Sequence, residues 1–230
     1  MEKLFNYNSI KDWIPFISKG LGITLLIALF AAVIGVVIGI IVTLINNNKK
    51  LSKVAFFYVD ILRGTPLILQ LSIIYFAFPQ VVNIILNRFL NLGIEFTISA
   101  FMASVITFSL NSGAYISEVI RSGINSVDKG EIEAAISLGV KKRHIYKDII
   151  LPIAFKNSFP ALMNEFITLV KESSIVSVIG LKDLMRRQQI VTSQTYLYFE
   201  PLLVVGVIYY VVIKVLSYVG RKVEKRLNYD

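Results

Sequence analysis

The sequence contains no cysteine and a single histidine, His144, among its 230 residues. The absence of cysteine excludes disulfide bonds and thiolate metal sites, and one histidine cannot supply the histidine pair of a typical zinc hydrolase. Charged residues are also scarce, at 17% of the chain against roughly 25% in ordinary soluble domains. No G-x-x-x-x-G-K-[ST] segment is present, so the chain has no phosphate-binding loop of its own for ATP.

Hydrophobic residues, by contrast, make up 55% of the chain and form long runs. Four runs are long enough to cross a hydrocarbon core of ~30 Å: 20–45, 97–120, 154–180 and 200–219. A fifth, 54–86, is interrupted by Gly64-Thr65-Pro66 and by Pro79, which predicts one span with a bent entry or exit segment. The first run is too long for a cleaved signal peptide. The sequence therefore predicts an all-α, polytopic membrane protein with about five transmembrane helices.

The basic residues are distributed unevenly about these spans. With five spans and the N-terminus outside, thirteen lysines and arginines fall on the cytoplasmic side and seven on the outer side. Cytoplasmic loops carry the excess of basic residues, so the C-terminus is predicted in the cytoplasm. The net charge of +9 then reflects topology and not nucleic-acid binding. The expected organisation is an extracytoplasmic segment 1–19, one transmembrane domain 20–220 and a cytoplasmic tail 221–230. Residues 4–17 would lie along the outer membrane surface or form a solvated tail.

A polar stretch at 128–152 separates the third and fourth predicted spans. Asp128, followed by Glu131, predicts the start of a helix, and Gly139 is suited to the left-handed conformation that ends one. Pro152 fits the first turn of the next membrane helix. Four basic residues favour a cytoplasmic location: Lys141, Lys142, Arg143 and Lys147. The stretch therefore predicts a short cytoplasmic helix whose small side chains suit the groove of another protein.

This stretch resembles the coupling-loop signature of permease subunits of bacterial ABC importers. The resemblance rests on the spacing of Glu133-Ala134-Ala135, Gly139, Ile149 and Leu151-Pro152. Three further segments are similar to the polar amino acid branch of that family: Arg63-Gly64-Thr65-Pro66-Leu67, Ala114-Tyr115 through Glu118, and Asn164-Glu165-Phe166-Ile167. Together they extend the resemblance over roughly residues 15 to 220.

The resemblance implies a transport subunit in a bacterial inner or plasma membrane, without enzymatic activity or a cofactor of its own. ATP would be bound by a separate ATP-binding cassette ATPase. A second permease subunit, identical to this chain or different, and an extracytoplasmic amino acid-binding protein would complete the importer. Four residues of the loop would couple to the ATPase: Glu133, Ala134, Ala135 and Gly139. Glu133 would act through a salt bridge and Gly139 through the turn.

Ionisable groups at membrane depth are functional candidates by default. The residues predicted to line the substrate pathway are Arg63, Glu118, Asn164 and Glu165. Arg63 could hold a substrate carboxylate, or it could form a structural pair with Asp60 or Glu118. In the branch that this chain resembles, the stretch matching Asn164-Glu165 lines the pathway. Carboxylates outnumber cations by two on the polar faces, which favours a polar or basic amino acid: arginine, histidine, lysine or glutamine.

Two other kinds of function remain open at this point. An intramembrane enzyme would need a nucleophile and a base, and Lys171 beside Ser173 and Ser174 is the one conceivable pair. An ATP-independent secondary transporter or channel would suit the broken second helix and the buried charges. Such a protein would have no use for the coupling loop. The G-x-x-x-G at 35–39 is interpreted as a helix-packing motif.

Overall fold

A computed structural model describes residues 7–89 and 91–229, with side chains described up to residue 227. This part of the chain contains helices and no β-strand, which confirms the predicted all-α class. The longer helices are α1 (Gly20–Asn46), α2 (Ser52–Gly64), α3 (Leu67–Phe89), α4 (Ala100–Asn125), α5 (Lys129–Ser137), α6 (Leu151–Glu172), α7 (Leu184–Thr195) and α8 (Phe199–Tyr229).

Four of the five predicted spans coincide largely with one helix each, and the second coincides with two, α2 and α3. Within the described residues, three stretches are both long and apolar enough to cross a membrane: Tyr7–Asn46, Leu67–Phe89 and Phe199–Leu227. The predicted third and fourth spans, α4 and α6, contain 26 and 22 residues, enough for ~30 Å at ~1.5 Å per residue. Both carry ionisable residues within their length, among them Glu118 and Glu165. The number of five spans therefore stays a prediction.

α1 and α4 pack closely along the centre of this bundle. A Cβ added at Gly39 would lie 2.7 Å from Ile116 Cγ2, and one added at Gly35 would lie 3.1 Å from Ser112 Cβ. The two glycines therefore let the helix backbones approach, as the G-x-x-x-G interpretation predicts. The core around this contact is built from buried apolar residues of several helices: Ile27, Ala28, Ala31, Leu71, Phe108, Leu169, Val170, Val176 and Ile179.

The second predicted span is broken once. α2 ends at Gly64, Thr65 is extended, and α3 begins at Leu67 after Pro66. Pro79 causes no second break, because it follows a π-helical turn (Ile73–Ala77) and lies in the first turn of the helical segment Phe78–Ile84. The predicted interruption at 64–66 is confirmed, whereas the helix continues through Pro79.

The segment before α1 is folded against α7 and α8. It consists of short helical turns, Tyr7–Ile10, Lys11–Trp13 and Ile14–Ser18. Ile10 and Ile17 are fully buried in a small apolar cluster with α7 and α8. The described part of this segment is therefore packed against the bundle, and it does not form the solvated tail that was one of the two alternatives drawn from the sequence. Leu4 and Phe5, on which the surface-lying alternative also drew, lie outside the described residues.

Candidate functional site

The loop between α4 and α6 contains a helix, α5, with defined caps at both ends. The Asp128 carboxylate accepts from the backbone N–H of Gly130 at 2.6 Å, an N-cap contact. Gly139 has φ +73°, and the N–H groups of Gly139 and Val140 donate to the carbonyls of Ile136 and Ala135. This pair of bonds is the Schellman arrangement, which ends a helix at a left-handed residue. Both predicted ends of the helix are confirmed.

The four predicted coupling residues do not all face outwards. Glu133, Ala134 and Gly139 are exposed, whereas Ala135 is only 6% exposed. Ala135 packs into an apolar cluster with Val127, Ile145, Ile150 and Ala154, and this contact attaches α5 to the rest of its own chain. Two large apolar side chains project beside the exposed residues. They are Ile136 and Leu138, the latter 83% exposed.

α5 is joined to α6 without a flexible gap. After Gly139, a short helix (Lys142–His144) leads into a π-helical turn (Ile145–Ile150) and directly into α6, with Pro152 in its first turn. Ile145 and Ile150 pack against Ala135, as described above. His144 pairs on the surface with Asp148, Nδ1 lying 3.1 Å from Oδ2. α5 and the start of α6 are therefore in direct contact through packed side chains.

A charged cluster joins α2 to α4. Arg63 Nη1 lies 3.8 Å from Glu118 Oε2, and Arg121 donates to the same oxygen. The Arg63 guanidinium also lies 5.0 Å from the centroid of the Tyr115 ring, within cation–π range. Of the two partners that the sequence offered, Arg63 therefore pairs with Glu118. A guanidinium has five N–H donors, and one contact at 3.8 Å leaves most of them free for a further carboxylate.

Two clefts share this cluster. One, of about 590 Å³, lies between α1, α2 and α4, and the other, of about 550 Å³, lies between α4 and α6. Both volumes fall in the range of small-molecule pockets. Four residues line both clefts: Arg63, Tyr115, Glu118 and Arg121.

Asn164 and Glu165, the other predicted pathway residues, line neither of these clefts. Asn164 is exposed on α6, while Glu165 is half-buried. The Glu165 carboxylate lies beside the buried Ser112 hydroxyl of α4, although Ser112 Oγ has no hydrogen-bond partner of ordinary geometry among the described residues. The structure thus brings Arg63 and Glu118 together and leaves Asn164 and Glu165 on a separate face.

Arg121, which the sequence analysis assigned to the cytoplasmic loops, is a member of the charged cluster. The signal that identifies it is its position three residues after Glu118, the spacing of an ion pair within one helix. Of the serine–lysine candidates, the buried Ser173 hydroxyl donates to the Val170 carbonyl at 2.8 Å and not to Lys171.

Comparison with known proteins assigns the family. Residues 35–229 match the family described as the binding-protein-dependent transport system inner membrane component. A chain of Rickettsia bellii, named as the glutamine transport system permease protein GlnP, is 51% identical over 93% of this chain and 94% of its own length. The arginine transport system permease protein ArtQ of Bacillus subtilis is 48% identical over 94% of each chain.

A solved structure agrees with these relatives. The crystal structure of an amino acid ABC transporter with histidines superimposes with a TM-score of 0.87 at 38% identity, covering 97% of this chain and 100% of the other. The chain therefore belongs to the family of binding-protein-dependent transport system inner membrane components, and it is a multi-pass membrane permease subunit of an amino acid ABC importer and not an enzyme.

Proposed function

We propose that this chain carries a polar or basic amino acid through a pathway at which the Arg63–Glu118–Arg121 cluster forms one wall. The observation that carries the proposal is the sharing of these three side chains by two clefts inside the helix bundle. An amino acid in either cleft would meet both signs of charge. Its carboxylate would approach the free donors of Arg63, and its amino group would approach Glu118.

The class of amino acid is supported by charge and by the relatives. Adding Arg121 to the count of charges on the polar faces reduces the excess of carboxylates from two to one, so the preference for a cationic substrate is weaker than the sequence count suggests. Glu165 and Asp60 have no basic partner within 4.0 Å among the described residues, so either carboxylate could meet a basic side chain or an amide. Asp60 lines the first cleft, and Glu165 lies on the separate face of α6. Because relatives are named for glutamine and for arginine, we propose a substrate of this kind.

Coupling to ATP hydrolysis would occur at α5. Glu133, Ala134 and Gly139 are exposed together with Ile136 and Leu138, which gives a small apolar surface with one carboxylate. Such a surface suits the groove of a separate ATP-binding cassette ATPase, which would bind and hydrolyse the ATP. Because α5 packs against the start of α6, a movement of the ATPase would move α6 and thereby the second cleft, which α6 helps to line.

The assembly that we propose contains two permease subunits, two copies of this chain being the simplest arrangement. The N-terminus would lie outside and the C-terminus in the cytoplasm, as the distribution of basic residues favours. The outer surface of α7, with the loop 91–99, would receive an amino acid-binding protein. α7 offers polar side chains for this contact, among them Arg186, Gln189 and Gln194.

Native mass spectrometry of the tagged chain, purified gently from its own membranes, tests this assembly. We expect two copies of the chain with two copies of an ATPase and a residual mass that matches a polar or basic amino acid. One copy beside a different permease would overturn the homodimer and move the pathway to a shared interface. Absence of any ATPase would overturn the coupling role of α5.

A further inference from the structure

Two buried amide side chains, Gln70 of α3 and Asn111 of α4, contact the break between α2 and α3. We propose that they are positioning residues that fix this break and thereby place Arg63 against Glu118 and Tyr115. The inference deepens the proposed function, because it rests on Arg63 lining the substrate pathway.

The carbonyl of Leu62 is one of the groups that lose their helical hydrogen-bond donor at the break. In a continuous helix it would accept from the N–H four residues later, at position 66, where proline has none. Two side-chain amides take the place of that donor: Gln70 Nε2 lies 2.8 Å from Leu62 O, and Asn111 Nδ2 lies 2.9 Å from the same oxygen.

Thr65 and Gln70 complete the pairing on the other side of the break. Thr65 is extended, with φ −118° and ψ 146°, and its hydroxyl donates to the Ile61 carbonyl at 2.8 Å. The same hydroxyl accepts from Gln70 Nε2 at 2.9 Å, and Thr65 O lies 3.1 Å from that nitrogen. The two hydrogens of the Gln70 amide are therefore shared among three acceptors around the break.

Asn111 joins this arrangement to α4. Its Nδ2 donates to Gln70 Oε1 at 3.2 Å as well as to Leu62 O, so each of its two amide hydrogens has an acceptor. Gln70 and Asn111 are only 7% and 6% exposed. A buried polar network is favourable only when all its members are hydrogen-bonded. Removing either amide side chain would therefore leave a polar atom of the other without one of its hydrogen-bond partners.

The position of Arg63 follows from these bonds. Arg63 comes directly after Leu62, whose carbonyl is tied to Asn111. Tyr115 and Glu118 lie about one and two turns beyond Asn111 on the same face of α4. The contact between Leu62 and Asn111 therefore sets the place from which Arg63 reaches both the Tyr115 ring and the Glu118 carboxylate.

A positioning role differs measurably from general support of the fold. If Asn111 acts on the substrate through Arg63, its removal matters only while Arg63 is present. If Asn111 merely supports the bundle, its removal weakens substrate binding by the same factor with or without Arg63. The dependence of one substitution on the other therefore separates the two roles.

The test uses the complex of this chain with its co-purified ATPase, without the binding protein, and equilibrium binding of labelled arginine and labelled glutamine. We expect Asn111→Ala and Arg63→Ala each to weaken binding about fivefold or more, and the double variant to bind no more than about twofold more weakly than Arg63→Ala. Ser104→Ala is the control on α4, because its buried hydroxyl bonds within its own helix to the Ala100 carbonyl. This variant should change binding by less than about twofold.

Asn111→Asp provides the second measurement, because its carboxylate has the shape of the amide but cannot donate to Leu62 O or to Gln70 Oε1. We expect Asn111→Asp, like Asn111→Ala, to lower the thermal unfolding midpoint of the complex, since it sets an acceptor against two other acceptors. A midpoint for Asn111→Asp equal to that of the parent complex would overturn the assignment of Asn111 to the break. An equal weakening of binding by Asn111→Ala in the parent and in the Arg63→Ala variant would overturn the positioning role.

The proposed function can fail separately. If the unaltered complex binds neither labelled amino acid, or if Arg63→Ala leaves binding unchanged, the proposal that Arg63 lines the substrate pathway is wrong. In that case Asn111 is a structural residue of the break, and the midpoint measurements alone describe it.

Discussion

Arg187 of α7 fastens the segment before α1 by two contacts to Phe16. Its Nη1 donates to the Phe16 carbonyl at 3.2 Å, and its guanidinium lies 4.9 Å from the centroid of the Phe16 ring. Its Nε also lies 3.3 Å from the Lys182 carbonyl, within the loop that precedes α7. One side chain therefore joins the N-terminal segment, this loop and α7.

Replacing Arg187 should loosen this junction. A cation–π contact contributes about 0.5–1 kcal/mol, and a hydrogen bond from a charged donor about 1.5–3 kcal/mol. We expect Arg187→Gln to lower the thermal unfolding midpoint in detergent by about 3–6 °C. Arg186→Gln is the matched control, because the Arg186 side chain bonds to Gln189 within α7. Equal losses for the two variants would contradict the fastening role of Arg187.

The contact between α1 and α4 can be tested at Gly39. An added methyl group would meet Ile116 Cγ2 at 2.7 Å, and a β-branched side chain cannot move aside easily. We expect Gly39→Ala to destabilise the protein by about 1–3 kcal/mol, as measured by the unfolding midpoint. Gly22→Ala, in the same helix with nothing within 4 Å of the new atom, should be neutral or stabilising.

Ile116→Ala supplies the second half of the Gly39 experiment. It removes the atom that the new methyl group would meet, so the double variant should be less destabilised than the sum of the two single variants. Additive losses would show that the cost of Gly39→Ala arises elsewhere.

The features predicted correctly from the sequence are those decided by local chemistry. Asp128 and Gly139 mark the ends of α5 because a carboxylate at the N-cap and a glycine at positive φ act within a few residues of chain. The break at Pro66 is local for the same reason, since proline lacks the N–H that the helix needs.

The features that the sequence analysis missed depend on contacts between distant parts of the chain. Burial of Ala135, beside exposed Ala134, depends on where Ile145 and Ile150 pack. The folding of the N-terminal segment onto α7 joins residues 171 positions apart, Phe16 and Arg187. No periodicity within either segment indicates such a partner.

Glu165 should discriminate between basic and uncharged substrates. Glutamine at this position keeps the shape of the side chain and removes its charge. We expect Glu165→Gln to raise the half-saturation concentration of transport more for arginine than for glutamine. Only the arginine side chain is charged, so only arginine loses an ion-pair partner. Glu172→Gln on the same helix is the control and should change both values little. Equal effects of Glu165→Gln on the two amino acids would contradict the interaction with a basic side chain.

Asp183 should make stability depend on pH. It caps α7 by accepting from the N–H groups of Met185 and Arg186, at 3.2 and 2.7 Å. Burial raises the pKa of its carboxyl from 3.8 to about 6, against the opposing effect of these hydrogen bonds. The folded state therefore binds this proton more tightly than the unfolded chain does. Its stability should fall as the pH rises from about 4 to about 6, and then level off, by an amount on the order of 3 kcal/mol.

Asp183→Asn removes this titration and keeps the cap, because asparagine is also a good N-cap residue. The unfolding midpoint of the variant in detergent should differ less between about pH 5 and about pH 7.5 than that of the parent, and its gain over the parent should be larger at the higher pH. Asp12→Asn, at an exposed position of the N-terminal segment, is the control and should keep the pH dependence of the parent. A variant at Asp183 with the parent's pH dependence would contradict this assignment.

Glu133 should matter to the coupled reaction and not to the fold. It is exposed on α5, and within the described part of the chain no basic group lies within 4.0 Å of it. If it pairs with a cation of the ATPase, Glu133→Gln leaves that charge unpaired at the interface, which costs about 2 kcal/mol or more. We expect amino acid-stimulated ATP hydrolysis to fall by about tenfold or more, with an unchanged unfolding midpoint of the isolated chain.

Glu131→Gln is the control on the same helix. Glu131 is exposed in the first turn of α5, where its carboxylate interacts favourably with the helix dipole. This variant should lower ATP hydrolysis by less than about twofold. Similar losses for the two variants would show that the overall charge of α5, and not a specific pair at Glu133, governs coupling.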